Sequence, residues 1–151
     1  MKILRKIIKV TTKRALDFVD LTDEVMRCVE KHGIKEGLIC IFIKHTTAAI
    51  RINENEKGFK RDFKEFMQSL IPHNKYYRHN DLSIRTENLV CSPGATDCIN
   101  GHSHIQQLFL GTSETIPIED GKLVLGRWQR IFLIELDKPR PREVFLKILG
   151  V

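Results

Sequence analysis

Hydrophobic positions along the chain change their period several times, and each change marks an element. Residues 2–10 (Lys2-Ile3-Leu4-Arg5-Lys6-Ile7-Ile8-Lys9-Val10) mix basic and β-branched side chains, the pattern of a strand with one wet face at a sheet edge. From Asp20 to His32 the residues Leu21, Val25, Cys28 and Val29 share one helical stripe, with Asp20 or Thr22 as N-cap and Gly33 just past the end. Leu38 to Ile43 is apolar without a break, which predicts a strand covered on both faces and leading directly into His45. Phe59, Phe63, Phe66, Met67 and Leu70 then repeat at helical spacing from about Gly58 until Pro72 stops them, a stripe expected to pack into the core.

Pro72 to Asp97 has no clean period; it holds Tyr76, Tyr77, His79, Asn80 and Asp81 and a Ser92-Pro93-Gly94 turn, and so long an irregular stretch in a compact domain is expected to be functional. Regularity returns at Asn100. Ile105, Leu108 and Phe109 fall at i, i+3 and i+4, and Gly111 stands where a left-handed residue ends a helix. Ser113 to Ile118, Lys122 to Leu125 after an Asp120-Gly121 turn, Trp128 to Leu136 and Glu143 to Leu149 read as two hairpins, the second bent through Pro139-Arg140-Pro141. Helices segregated from a largely antiparallel sheet predict a single α+β domain, and the chain has no internal repeat.

Composition bounds what this domain can be. At 151 residues it buries about 70% of its unfolded surface and needs no disulfide or metal to fold. The 42% hydrophobic and 29% charged content is that of an ordinary soluble globule. Without an apolar run of about 18 residues or a signal-peptide pattern, no membrane partner and a cytoplasmic location are expected. Cys28, Cys40, Cys91 and Cys98 form no CxxC pair and read as free thiols, although Cys91 and Cys98 flank the Ser-Pro-Gly loop, and a disulfide or accessory ligand stays open there. The net charge of +6 suits an anionic partner. The Lys and Arg residues are nonetheless interspersed with acids, so nucleic acid is not expected as a partner.

Histidines are the candidate chemistry. In a strand His102 and His104 share a face and can grip one ion; in a helix they sit roughly 200° apart and cannot. The apolar spacing that follows them favours helix, placing His102 near the cap and His104 in the first turn. His45, in Lys44-His45-Thr46-Thr47-Ala48-Ala49, has small neighbours that allow close approach, and His79 follows Tyr76-Tyr77-Arg78.

The run His45-Thr46-Thr47-Ala48-Ala49-Ile50-Arg51-Ile52-Asn53-Glu54-Asn55, the triplet Tyr77-Arg78-His79, Asn100-Gly101-His102-Ser103-His104, Leu110-Gly111-Thr112-Ser113, Ile116-Pro117-Ile118 before Gly121, and Leu125-Gly126-Arg127-Trp128-Gln129 together resemble the YjbQ-like family. The match runs in order over most of the chain. The resemblance implies a small α+β protein with a largely antiparallel, β-sandwich-like core and helices packed to one side. It also implies a homotrimer and a secondary thiamine-phosphate synthase activity. It further implies that His45, His79 and His104 converge on a divalent metal, zinc or magnesium, with Asn53, Glu54 and Asn55 beside them. Three imidazoles from separate elements leave positions open for water or substrate. Glu54 is then a general base or ligand, or equally a cap for the following helix. In that reaction a pyrimidine diphosphate loses pyrophosphate as a thiazole phosphate attacks, so arginine forks are needed, and Arg51 and Arg127 lie inside matched runs. Thr46, Asn53, Asn55 and Ser113 complete the expected contacts to a small phosphorylated ligand, with Glu54 and Arg127 as the catalytic groups. A non-catalytic metal-stabilised trimer and an anion- or nucleic-acid-binding module are the alternatives.

Overall fold

Alternation along strands of the larger sheet and continuous burial in the smaller one build two sheets around a shared core. The computed structural model describes residues 1–90 and 98–151; the Ser92-Pro93-Gly94 turn and the Cys91 end of any pairing with Cys98 lie outside the described residues. In chain order the elements are β1 (Lys2–Thr11), β2 (Asp17–Asp20), α1 (Thr22–His32), β3 (Gly37–Ile43), β4 (Ala48–Glu54), α2 (Lys57–Leu70), a single 3-10 turn (Arg78–Asn80), α3 (Gly101–Leu110), β5 (Ser113–Glu119), β6 (Lys122–Leu123), β7 (Gln129–Glu135) and β8 (Pro141–Gly150). One sheet has the order β1-β8-β3-β5-β6 and the other β2-β7-β4, with antiparallel pairing between neighbours. β1 is an edge strand, as its basic pattern predicts.

Ile39, Ile41 and Ile43 of β3 and Val144, Leu146 and Ile148 of β8 face Ile50, Ile131 and Leu133 of the smaller sheet, and α1 adds Val25, Cys28 and Val29 to this core. A second core forms on the other side of the smaller sheet, where Ala49, Phe132 and Ile134 meet Met67 and Ile71 at the end of α2, with Phe63 and Leu110 beside them. β7 is therefore buried on both faces, which accounts for the unbroken burial from Ile131 to Glu135. Each such Ile, Leu or Phe contributes about 1.5–3 kcal/mol through burial.

Several expectations change. β3 is covered on one face only: Leu38 is 48% exposed, and with Phe42, Ile3, Ile7 and Leu149 it leaves an apolar outer surface on the larger sheet. The aromatic stripe of α2 is only partly core, because Phe66 and Leu70 project outward. α3 forms where predicted but with its faces exchanged. It buries Gly101, His102, Ser103, Gln106 and Gln107, while Leu108 and Phe109 are 81% and 68% exposed. Hydrogen bonding gives the reason: the Ser103 hydroxyl donates to the Leu136 carbonyl at 2.6 Å, and Gln106 Nε2 donates to the Ile71 carbonyl at 3.4 Å. These carbonyls lie beyond the ends of β7 and α2, and buried backbone acceptors need donors more than the helix needs an apolar inner face. At α1 the residue before the helix is Leu21, and Asp20 serves from one position earlier by accepting from the Thr22 amide and hydroxyl.

β7 and β8 do not form the expected hairpin; they belong to different sheets. Residues 136–140, with Pro139 and Pro141 at the bend, carry the chain across. Residues 12–16 between β1 and β2 and residues 44–47 between β3 and β4 cross at the same end. The three crossovers meet at Glu135, which is 0% exposed. Its carboxylate accepts from Arg142 Nε (2.8 Å) and Nη2 (2.5 Å), from the Thr12 hydroxyl (2.8 Å) and from the Asp137 amide (3.0 Å). Arg142 Nη2 also donates to the Thr47 hydroxyl at 3.0 Å. Removing one partner of so deeply buried a pair strands the other charge. Arg142→Met should therefore cost about 3–5 kcal/mol in urea unfolding, and Arg142→Met/Glu135→Leu should lose less than the sum of the two single losses.

Candidate functional site: a histidine cleft at the sheet-to-sheet corner

The crossovers that Glu135 joins also form the wall of a cleft of about 270 Å³, lined by Lys44, His45, Thr46 and Thr47, by Cys98, Asn100 and His104, and by Arg140 and Arg142. His45 lies on the β3–β4 crossover, and its Nε2 accepts from the Glu143 amide at the long distance of 3.5 Å. Burial, then the nearby Arg142 charge, holds its pKa below the ordinary imidazole value. His104 occupies the first turn of α3, where burial and the neighbouring His79 depress its pKa in the same way. The rings of His79 and His104 lie 4.5 Å apart, centroid to centroid.

A chain of hydrogen bonds sets the tautomer of His79. Arg140 donates through Nε (3.1 Å) and Nη2 (2.6 Å) to the Asp137 carboxylate, which also accepts from Asn100 Nδ2 at 3.0 Å. Burial pushes the Asp137 carboxyl up, but these donors outweigh it and hold the group ionised. Since the amide nitrogen of Asn100 faces a carboxylate, its Oδ1 faces His79 Nε2 at 3.2 Å and accepts the ring proton there. In the neutral ring with that tautomer, Nδ1 is the nitrogen with a free lone pair.

His102 points elsewhere. It is 5% exposed, and its ring packs edge-on against His73 with centroids 4.7 Å apart. Because the Ser103 hydroxyl gives its proton to Leu136, it accepts from His102 Nε2 at 3.1 Å, and the buried Nδ1 has no partner among the described residues. The separation of His102 from His104 agrees with the helical reading, whereas the burial of His102 does not follow from it.

The remaining candidates lie elsewhere. Asn53 and Glu54 pair with Arg130 and Gln129 at the opposite end of β4, seven residues beyond Thr47, or roughly 20 Å at strand rise. One chain thus does not bring Asn53, Glu54 and Asn55 beside the histidines, because the strand between them is fully extended. Asn55 donates to Asp20 and accepts from Lys60. Glu56, not Glu54, caps α2, accepting from the Gly58 and Phe59 amides. Arg51 is paired with Glu114 at 2.5 Å, Ser113 begins β5, and Arg127 stacks on the exposed Trp128 at 4.7 Å. Of the expected site residues, the cleft gathers His45, Thr46 and His104, with His79 against His104.

Cys98, kept open above as an accessory ligand, and Asn100, quoted above in a matched run, line the cleft together with Arg140, and Asp137 stands behind them; neither Asp137 nor Arg140 was singled out as a site residue. Their signal was faint: polar residues interrupt an otherwise apolar strand pattern at Glu135, Asp137 and Arg142. Among the described residues no group of three or more His, Cys, Asp or Glu side chains is spaced to close on one metal ion. The two imidazoles in contact there are His79 and His104.

Fold and cleft together define a class: a small α+β sandwich with a histidine-lined cleft where the chain passes between its sheets. The profile described as UPF0047 protein YjbQ-like matches residues 6–151, and the chain belongs to this YjbQ-like family. A UPF0047 protein of Archaeoglobus fulgidus is 39% identical over 91% of this chain and 95% of its own length. A UPF0047 protein of Methanocaldococcus jannaschii is 35% identical, covering 94% and 91% respectively. The crystal structure of a YbjQ-like protein from Sulfolobus solfataricus superposes with a TM-score of 0.86 at 38% identity, over 99% of each chain.

His102 carries a pH consequence. Burial, then the neighbouring His73, lowers its pKa from the ordinary 6.5. The unfolded chain therefore binds a proton at higher pH than the folded one. Its contribution to stability is complete above about pH 6.5 and is lost as pH falls from there toward the depressed folded value. Urea midpoints should drop between about pH 7.5 and 5.5, and His102→Gln should flatten that slope even if it lowers stability at neutral pH.

Proposed function

We propose that the cleft binds a divalent metal ion together with a small phosphorylated ligand, in a homotrimer with thiamine-phosphate synthase-like activity. The observation that carries this reading is the His79–His104 contact, two adjacent imidazoles with His104 held toward its neutral form. Neutral imidazole is the ligating form, and the Asn100–Asp137–Arg140 relay fixes the ring that presents Nδ1. Zinc accepts such ligands readily; magnesium would lean more on ligand oxygens. A bound divalent ion supplies charge that stabilises departing pyrophosphate. Lys44 and Arg140 add positive charge at the rim for phosphate oxygens, and Arg140 keeps Nη1 unused among the described residues.

Two features support assembly. The outer face of the larger sheet and the exposed face of α3 are apolar surfaces that soluble monomers rarely leave bare. The other motif cluster, Asn53, Glu54, Asn55 and Arg127, lies at the far end of β4 and β7, so head-to-tail packing in a closed ring would bring that end of one copy to the cleft of the next. Glu54 and Arg127 then act on the neighbour's ligand, as base and phosphate clamp.

Elemental analysis of the purified protein should find about one divalent ion per chain; His104→Ala should hold little of it, and His102→Ala should hold it fully. Stoichiometric metal in His104→Ala would remove the imidazole pair from the site. Light scattering should give a trimer mass. Mixing inactive His104→Ala and Arg127→Ala chains should restore part of the activity, because some boundaries would then hold an intact pair of half-sites; demonstrated subunit exchange without recovery would confine the pocket to one chain.

A further inference from the structure

A second concave site shares no residue with the histidine cleft. Between the β1–β2 crossover and α2 lies a groove of about 550 Å³, floored by Leu16 and Phe18 and edged by Arg14, Lys57, Lys60, Arg61 and Lys64, with Asp17 as its one carboxylate. Asp17 is engaged with the Lys13 amide. Lys57, Lys60, Arg61 and Lys64 fall at i, i+3, i+4 and i+7, so they form one stripe about 10 Å long on a single helix face.

That arrangement is wrong for the helix on its own. Like charges three and four residues apart repel, and within the first turn of α2 the residues are cationic or neutral, so the Glu56 carboxylate at the cap is the one acid at that end. Some cations elsewhere in the chain are neutralised locally, as in Lys6–Glu24, Arg51–Glu114 and Arg130 with Asp20 and Asp23. Among the described residues no carboxylate pairs with Arg14 or with any cation of the stripe; Lys60 alone has a partner, the Asn55 amide oxygen. The volume suits a nucleotide-sized molecule, and the stripe spans two or three linked phosphates.

We propose that this groove binds a compact polyphosphate ester of nucleotide size, held by Arg14 on one wall and by Lys57, Lys60, Arg61 and Lys64 on the other. The cations converge on one concavity instead of tracking across the surface, which favours a small polyanion over a nucleic-acid strand. Bound phosphate relieves the repulsion along α2, so the groove is a site whose empty state is the less stable one.

Titrations in about 0.1 M salt should use ATP, inorganic tripolyphosphate and a single-stranded oligonucleotide. Saturable one-to-one binding of ATP and tripolyphosphate is expected, weakened at least about tenfold by Lys60→Gln/Lys64→Gln and unchanged by Lys31→Gln/Lys35→Gln or by His104→Ala. The ligand-free groove variant should melt about 1–2 °C higher than the parent. In the parent, tripolyphosphate should protect Lys60 and Lys64 from amine acylation. Absence of saturable polyphosphate binding, binding of the oligonucleotide alone, equal weakening in both lysine pairs, or no protection of Lys60 and Lys64 would each overturn the proposal.

Discussion

The buried carboxylate of Glu135 is the point from which the rest of the domain is set out. A charge at the end of the most buried strand is tolerated only because every direction around it supplies a donor: Arg142 from β8, Thr12 from the first crossover, and the Asp137 amide from the third. Thr12 and Asp137 belong to two of the segments that pass between the sheets, and Arg142 extends the tie to Thr47 on the remaining one. The backbone joins in the same place, since the Leu16 amide donates to the Glu135 carbonyl and the Leu136 amide to the Thr47 carbonyl. An apolar residue at 135 would pack, but it would not tie three crossovers into one corner.

Rigidity at that corner passes outward to the histidines. Arg140 and Asp137 lie on the segment that Glu135 anchors, and they orient Asn100, which orients His79. His104 comes from α3, itself fastened to the same segment through Ser103 and Leu136. The cleft is thus built by residues whose positions are decided one layer deeper, which suits chemistry that tolerates little misplacement.

Most of the fold was legible because its strands alternate and its helices carry stops. Gly33 ends α1 in a left-handed conformation, and Asp120-Gly121 turns β5 into β6. Legibility failed wherever a residue answers to something other than its own element. α3 turned its polar face inward because the Leu136 and Ile71 carbonyls needed donors, which no periodicity records. β3 read as buried on both faces because the sequence carries an apolar outer side that one chain leaves bare. In the cleft, His45 and His104 were visible as histidines in quotable runs. Asp137 and Arg140 were not, since a Pro-flanked corner reads as a bend until its partners are known. Asn53 and Glu54 are close to His45 in sequence and far from it in space, because an extended strand separates its ends faster than any other element.

The pairing of β1 with β8 bears on how the chain acquires its shape. Lys2 lies opposite Gly150 and Thr11 opposite Pro141, so the first strand has no partner until the eighth exists. During synthesis Ile3, Leu4, Ile7 and Ile8 wait with an open sheet edge while nearly the whole domain is made. Their interleaved Lys2, Arg5, Lys6 and Lys9 keep that waiting strand charged and hydrated, so the same basic pattern that marks a sheet edge also guards the nascent chain against pairing with a stranger.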